Sequence, residues 1–386
     1  SPTRASLLTG KTPARLHLTD WLHGRGDRPN QKLIGPEFRQ QLPLEEVSVA
    51  EMLRPAGYST ASIGKWHLGG EGFGPTEQGF QLNVAGTAKG SPPGYFARPD
   101  GTFDLPGLRT PDEKTRYITD RLTDEACKFL DAHKDEPFFL YLPHFAVHIP
   151  IQPRADLLKK YEAKDAGSGP RDNPYYAAMV ESVDESVGRI LARLDKLGIA
   201  EKTVVVFTSD NGGLATKEGP HTPATSNAPL KAGKGYLYEG GIREPWIVRW
   251  PGVVKPGSVC DVPISSIDFL PTVAEITGVK PPSTDLDGVS VVPLLKGSAD
   301  FDRGDALYWH YPHYSNQGGK PGGAIREGKY KLIEFYEDDH VELYDLEADQ
   351  GEENDLAKSQ PEVAAILRGK LHDWLKKVDA QMPRRK

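Results

Sequence analysis

Asp210-Asn211-Gly212-Gly213 follows an apolar run rich in valine. An Asp-Asn pair at a strand end offers two hard oxygens to a divalent cation such as Ca²⁺ or Mg²⁺. The same four residues also read as an Asx-turn in which glycine supplies positive φ. Lys65 and His67 stand two apart in Gly64-Lys65-Trp66-His67-Leu68-Gly69. A lysine ammonium can offset negative charge that redistributes in a transition state, and an imidazole can move a proton. A Lys-x-His pair alone also suits a solvated surface, but here it sits between glycines after a predicted strand. Gly233-Lys234-Gly235 lets backbone approach closely while Lys234 reaches an anion. Lys231 competes for that role, and the glycine flanks favour Lys234. His148, in Phe145-Ala146-Val147-His148-Ile149-Pro150, adds a second imidazole, with His144 read as structural. Arg4 lies in the first turn of an N-terminal helix, where backbone N–H groups favour an anion.

Elements that alternate between helix and buried strand must hold these residues. Helical spacing predicts helices over 47–56, 117–132 and 175–197, the last closed by Gly198. Strands are predicted over 58–64, 137–142 and 203–208. The last two are continuous apolar runs that read as buried on both faces. The alternation argues for an α/β sheet with parallel strands, whose site lies at the carboxyl ends. Lys65, His67, His148 and Asp210 each fall just after such a strand. Residues 69–107 are rich in Gly and Pro and read as an irregular excursion. The composition changes over 296–303. Four short aromatic-rich segments then predict a small antiparallel sheet over 306–345, followed by a helix over 361–378 and a frayed basic tail.

A chain of 386 residues is long enough for one large and one smaller domain. Gly 40 and Pro 33 imply many loops, as expected where a scaffold carries its site on connections. A net charge of -7 argues against a general nucleic-acid binder, yet a local cationic cluster can still take an anion. Two cysteines, Cys127 and Cys260, make no disulfide framework, and Cys127 reads as core on a helix. No run is long and apolar enough to span a membrane.

The decapeptide Ser1-Pro2-Thr3-Arg4-Ala5-Ser6-Leu7-Leu8-Thr9-Gly10 resembles the signature of the type I sulfatases, Cys/Ser-x-Pro-x-Arg-x-x-x-x-Thr-Gly. Aligning Pro2 and Arg4 makes Ser1 the variable position. The nucleophile, a Cys or Ser oxidised to formylglycine, is then expected one residue before Ser1. The segment around Lys65 and His67 and the stretch from Pro229 to Pro245 match further motifs of the family. The resemblance covers essentially the whole chain and looks closest to arylsulfatase A-like and N-acetylgalactosamine-6-sulfatase-like enzymes.

That resemblance implies an alkaline phosphatase-like α/β/α sandwich with a mainly parallel sheet. A catalytic domain over 1–300 and a C-terminal α+β subdomain over 301–386 are expected. It implies a formylglycine gem-diol attacking sulfur and Ca²⁺ (or Mg²⁺) on Asp210 and Asn211, with two further aspartates upstream of the nucleophile. Arg4 would hold the formylglycine hydroxyl, Lys65 and Lys234 the sulfate, His67 the gem-diol, and His148 the leaving oxygen. Arg243 and Glu239 are expected to brace the Lys234 loop as a buried ion pair. His221, His310, His313 and Ser91 are weaker candidates for contact with a sugar. The implied partners are a sulfated saccharide and a formylglycine-generating or radical maturase enzyme, and the implied location is periplasmic or secreted. The nearest rival enzyme is a phosphodiesterase or phosphonate monoester hydrolase. A non-catalytic glycan-binding relative is the reading if the polypeptide truly starts at Ser1.

Overall fold

A proline at its start and Gly10 at φ 70° bound the first helix, α1 (Pro2–Thr9). Proline's fixed φ suits a helix start, and glycine takes left-handed φ without strain. The computed structural model describes residues 1–110, 116–164, 172–282, 285–298 and 300–386. After α1 come α2 (Pro13–Leu16), β1 (Leu33–Ile34), α3 (Val49–Leu53), β2 (Ser59–Ile63), β3 (Leu82–Val84), α4 (Ile118–Ala132) and β4 (Phe138–Tyr141). Next are α5 (Ala155–Glu162), α6 (Pro174–Lys196), β5 (Val205–Thr208), α7 (Glu239–Ile242), β6 (Trp246–Arg249), α8 (Phe269–Thr277) and α9 (Val292–Leu295). The chain closes with β7 (Leu307–Tyr311), β8 (Gly322–Glu327), β9 (Tyr330–Phe335), β10 (His340–Asp345), α10 (Pro361–Lys377) and β11 (Arg384–Arg385).

β2 is the centre of a three-stranded parallel sheet in the order β3-β2-β4. Its Ala61 and Ile63 are fully buried and share a core with Ile118, Leu122 and Ala126 of α4 and Met179 of α6. Ile63, Ile118, Leu122 and Met179 each contribute about 1.5–3 kcal/mol by leaving water. A second core wraps α1, where Ala5 and Leu8 pack with Trp66 and Phe80. Trp66 is fully buried and its indole N–H donates to the Phe73 carbonyl at 2.9 Å. Burying Trp66 fixes the backbone of its neighbours Lys65 and His67.

Four expectations change. The excursion over 69–107 contributes β3, too short and too mixed in composition to register as a strand. β5 pairs antiparallel with β6, because the connection between them returns through a long loop instead of a crossover helix. β4 and β5 are only half-buried, and Phe207 of β5 is exposed. Among the described residues each of these two strands is paired on a single edge. The basic tail is not frayed: β11 pairs with β1.

The C-terminal sheet is antiparallel in the order β10-β9-β8-β7, as the short aromatic segments predict. Leu367, Leu371 and Trp374 of α10 pack on Ile325, Leu332 and Leu343 of that sheet. Both cysteines are free, with Cys127 half-buried on α4. Among the described residues no helix is long and apolar enough to cross a membrane.

Candidate active site

Lys65 sits two residues past β2 because Gly64, at φ 128°, turns the chain over the Pro143 carbonyl. A Cβ at Gly64 would stand 2.1 Å from that oxygen, so only glycine fits the turn. The Lys65 amide donates to the same carbonyl at 2.7 Å. The ammonium is buried, and burial together with the nearby Arg4 and Lys234 charges pushes its pKa down to about 7.

His67 takes a left-handed backbone, φ 58°, and is buried with its Nε2 2.6 Å from the Leu22 carbonyl oxygen. Nε2 is therefore the protonated nitrogen, and Nδ1 is buried without a partner. Burial and the surrounding cations push its pKa far down, so the ring is neutral. Gly90 packs flat on this ring, where a Cβ would meet Cε1 at 2.3 Å.

Asp210 and Asn211 follow β5, as the strand-end motif predicts. Arg4 Nη2 lies 2.8 Å from Asp210 Oδ2, and the Thr3 hydroxyl donates to the Asp210 carbonyl at 2.7 Å. Helix α1 is thus tied to the end of β5. Burial opposes the Asp210 charge, but Arg4, Lys65 and Lys234 hold its carboxyl well below the usual carboxylate range. Its side chain keeps 34% of its surface exposed. Arg4 is buried and has two further nitrogens, Nε and Nη1, with no acceptor. The Asn211 amide nitrogen donates to the Gly212 carbonyl at 3.0 Å, leaving its amide oxygen available.

Lys234 approaches from the loop before α7. Its backbone N–H donates to the Gly213 carbonyl at 3.1 Å, and its Nζ lies 3.1 Å from His148 Nε2. His148 Nδ1 is 2.9 Å from the Ile149 carbonyl oxygen. That carbonyl needs a proton from Nδ1, so Nε2 is the acceptor for Lys234. Burial first, then the Lys234 and Lys65 charges, push the His148 pKa down to about 3.

One cluster therefore gathers Arg4, Lys65, His148, Asp210 and Lys234, with Asn211 and His67 beside it. Two hard oxygens, from Asp210 and Asn211, suit a hard divalent cation in kind but fall short of its usual six to eight ligands. Among the described residues no group of three or more His, Cys, Asp or Glu side chains is placed to hold an ion.

The weaker candidates lie apart from these contacts. His221, at φ 59°, is exposed and stacks on Tyr175 with ring centroids 3.7 Å apart. His310 is buried and both its ring nitrogens are engaged, with the Tyr336 hydroxyl at 2.8 Å and the Gln381 carbonyl at 3.0 Å. His313 is buried against Phe38, its Nε2 2.8 Å from the Thr19 hydroxyl. Ser91 is exposed next to Gly90. His144 is half-buried with Nε2 3.0 Å from the Ser186 hydroxyl, in keeping with a structural role.

The expected brace between Arg243 and Glu239 needs correction. Arg243 Nη1 is 4.0 Å from Glu239, whereas Lys331 Nζ is 2.9 Å away and wholly buried. Sequence reasoning also passed over Glu244. Its carboxyl is buried near Asp210, and burial, then that neighbouring charge, pushes its pKa up to about 8. Only the β5–β6 register, which pairs Thr208 with Trp246, brings Glu244 back beside the end of β5. No pattern in the sequence announces that register.

Comparison with known proteins agrees with this geometry. The family model described as Sulfatase matches residues 1–279. A second, described as N-sulphoglucosamine sulphohydrolase, C-terminal, matches residues 232–381. A sulfatase of Formosa agariphila is 34% identical, covering 98% of this chain and 79% of that protein. Human arylsulfatase A is 32% identical over 95% of this chain and 76% of its own length. The crystal structure of Ps i-CgsB in complex with k-i-k-neocarrahexaose superposes with a TM-score of 0.80 at 28% identity, covering 97% of this chain and 81% of that one. The fold is that of its sulfatase neighbours, and the chain belongs to the sulfatase family, the sulfuric ester hydrolases.

Proposed function

We propose that the protein removes sulfate from a sulfated carbohydrate or aryl sulfate, and that the cluster around Asp210 is its catalytic site. The observation that carries this reading is the 3.1 Å approach of Lys234 to His148 beside the Arg4–Asp210 pair. Three cationic groups and an imidazole face one carboxylate there, a surplus of positive charge suited to a bound anion.

Lys65 and Lys234 hold the non-bridging oxygens of the ester and offset the charge that builds on them. His148, held by the Ile149 carbonyl, is neutral with Nε2 unprotonated. It takes up a proton from solvent when the bound ester's negative charge raises that depressed pKa, and then delivers the proton to the leaving oxygen. His67 Nδ1 and the free N–H groups of Arg4 have no protein partner. The Arg4 groups are placed to donate to oxygens at the reacting centre, and the unprotonated His67 Nδ1 to accept from a hydroxyl there. Asp210 and Asn211 would hold a Ca²⁺ (or Mg²⁺), and a formylglycine from a Cys or Ser just before Ser1 would supply the nucleophile as its hydrate. That residue requires a formylglycine-generating or radical maturase partner.

A saccharide substrate draws support from the oligosaccharide in the Ps i-CgsB complex. His221 and Ser91 are exposed on loops and are part of the same proposal as sugar contacts, whereas His310 and His313, which are buried, act in the packing between the sheets. A division near residue 300 and a periplasmic or secreted location complete it.

The test is parallel turnover of an aryl sulfate and an aryl phosphodiester by the matured full-length protein. Preference for the sulfate by at least about 10²-fold supports the reading. Preference for the phosphodiester would instead favour the rival hydrolase, and binding of sulfated saccharide without turnover of either ester would favour a glycan-binding protein.

A further inference from the structure

A buried charge cluster lies outside the site and is used by nothing in the mechanism above. Lys331 of β9 is fully buried, with Nζ 2.9 Å from Glu239 Oε1 and 2.9 Å from Glu352 Oε1. Both carboxylates are buried as well. Glu352 also accepts the backbone N–H of Glu239 at 2.7 Å, the first residue of α7. Arg326 and Arg243 approach Glu239 only at 3.8 Å and 4.0 Å. Lys331 is therefore the close cation for two carboxylates on different segments.

A second tie runs parallel to it. Lys231 donates to the Tyr344 hydroxyl at 3.1 Å and to the Glu352 carbonyl at 2.9 Å. Its ammonium also stands 4.2 Å from the centroid of the Tyr238 ring. The Tyr236 hydroxyl donates to the Gln317 carbonyl at 2.7 Å. The stretch from 231 to 242 is thus fastened to the C-terminal sheet along one side.

Its other side is fastened to the metal-ligand turn. Lys234 N–H bonds the Gly213 carbonyl at 3.1 Å, and Gly212 N–H bonds the Gly241 carbonyl at 3.1 Å. The strip thus carries both Glu239 of the buried cluster and Lys234 of the reacting centre.

We infer that Lys331, with Glu239 and Glu352, is a positioning unit that sets Lys234 against His148 from the C-terminal sheet. The inference rests on the proposed sulfatase reading and extends it to residues that touch no substrate. Burying three charges is weak evidence for stability by itself, because an apolar replacement of the same shape often does as well. Registry is the better-attested use of such a cluster. A displacement of about 1 Å in a reacting group can lower rate about 10²-fold.

The experiment is a double-mutant cycle on the matured full-length protein with an aryl sulfate. Lys331→Met leaves two buried carboxylates without their cation, so Glu352→Gln, which keeps the shape and still accepts the Glu239 N–H, serves as the second variant. Each is expected to lower turnover by about 10²-fold in the Lys234-containing protein, yet by less than about twofold in a Lys234→Ala background. Equal losses in both backgrounds would mean general loosening of the structure and would overturn the inference. So would full activity of folded Glu352→Gln. A crystal structure of Glu352→Gln gives a readout that needs no turnover. Lys234 Nζ still at its present distance from His148 Nε2 would sink the inference. A wild-type protein inactive on the sulfate would sink only the functional reading.

Discussion

Lys234 Nζ stands 3.1 Å from His148 Nε2, a lysine donating to a neutral imidazole whose other nitrogen is bonded to the Ile149 carbonyl. The two residues come from loops 86 positions apart in the sequence. Through this contact the Lys234 charge helps to push the His148 pKa down. Lys234→Ala and His148→Ala should each lower turnover of an aryl sulfate by about 10²-fold or more, the scale of a lost charge or proton partner. Because the two touch, the double variant should lose less than the product of the single losses. Steady-state kinetics of the four proteins decides this, and near-normal rates would remove both from the site.

Among the described residues Arg4 is the one cation paired with Asp210 at ion-pair distance. Removing it takes away the largest of the charges that hold the Asp210 carboxylate, leaving the more distant Lys65 and Lys234. Arg4→Gln should therefore melt well below wild type in chelator. Added Ca²⁺ should recover more stability in the variant than in wild type, because the cation replaces the lost charge and binds only the folded state. Thermal melts with and without Ca²⁺ test it. Equal Ca²⁺ shifts in both proteins would argue against a cation at Asp210.

Much of this site is legible in the sequence, for a physical reason. Lys65, Asp210 and Lys234 are flanked by glycines that let backbone turn or approach closely, and such glycines leave local marks. Gly64 over the Pro143 carbonyl is one instance, and Gly212 against Gly240 is another. What stayed hidden depends on long-range register. Glu244 returns to β5 only through the β5–β6 pairing, and Lys331 meets Glu239 across 92 positions. Alternation of helix and strand likewise predicted β5 as parallel. Periodicity reports burial and cannot report which way a long loop brings the next strand back.

His310 was a candidate for sugar contact from its aromatic surroundings, but its two ring nitrogens hold Tyr336 and Gln381. His310→Ala leaves those two polar groups buried and unpaired, at about 1–3 kcal/mol each. The melting temperature should fall while kcat/KM for an aryl sulfate stays within about twofold. A large rise in KM for a saccharide substrate would return His310 to the substrate side.

Acid should destabilise the fold through its buried histidines, against an opposite slope from Glu244, whose carboxyl is pushed up to about 8 and takes up its proton first. Burial pushes His144, His310 and His313 each down to about 4. In the unfolded chain their pKa returns to about 6.5. Between those values the unfolded state carries protons that the folded state lacks, so stability is complete above the upper value and falls as pH drops toward 4. Each histidine adds a slope of up to about 1.4 kcal/mol per pH unit within that window. Denaturant midpoints should fall between about pH 6.5 and pH 4.5, where the three histidines outweigh Glu244, and His144→Gln should flatten the curve. A midpoint that is constant over the range would mean these rings are already open to water.

Gly212 is a point of close contact between the Asp210–Asn211 turn and the Lys234 strip. A Cβ there would stand 1.8 Å from the Gly240 carbonyl oxygen and 3.1 Å from the Gly241 Cα. Both are backbone atoms, so no side chain can swing aside. Gly212→Ala must push the Asp210–Asn211 turn away from the strip and lengthen the Gly212 to Gly241 hydrogen bond, now 3.1 Å. Overpacking of this kind destabilises by about 1–3 kcal/mol. The loss of rate should be larger than that, about 10²-fold, because cation ligands and Lys234 move relative to one another. Gly70→Ala is the control, since its nearest neighbour would be the Ala88 Cβ at an ordinary 3.5 Å. If Gly212→Ala folds and turns over at the rate of Gly70→Ala, the alignment of these two backbone segments is irrelevant to the chemistry.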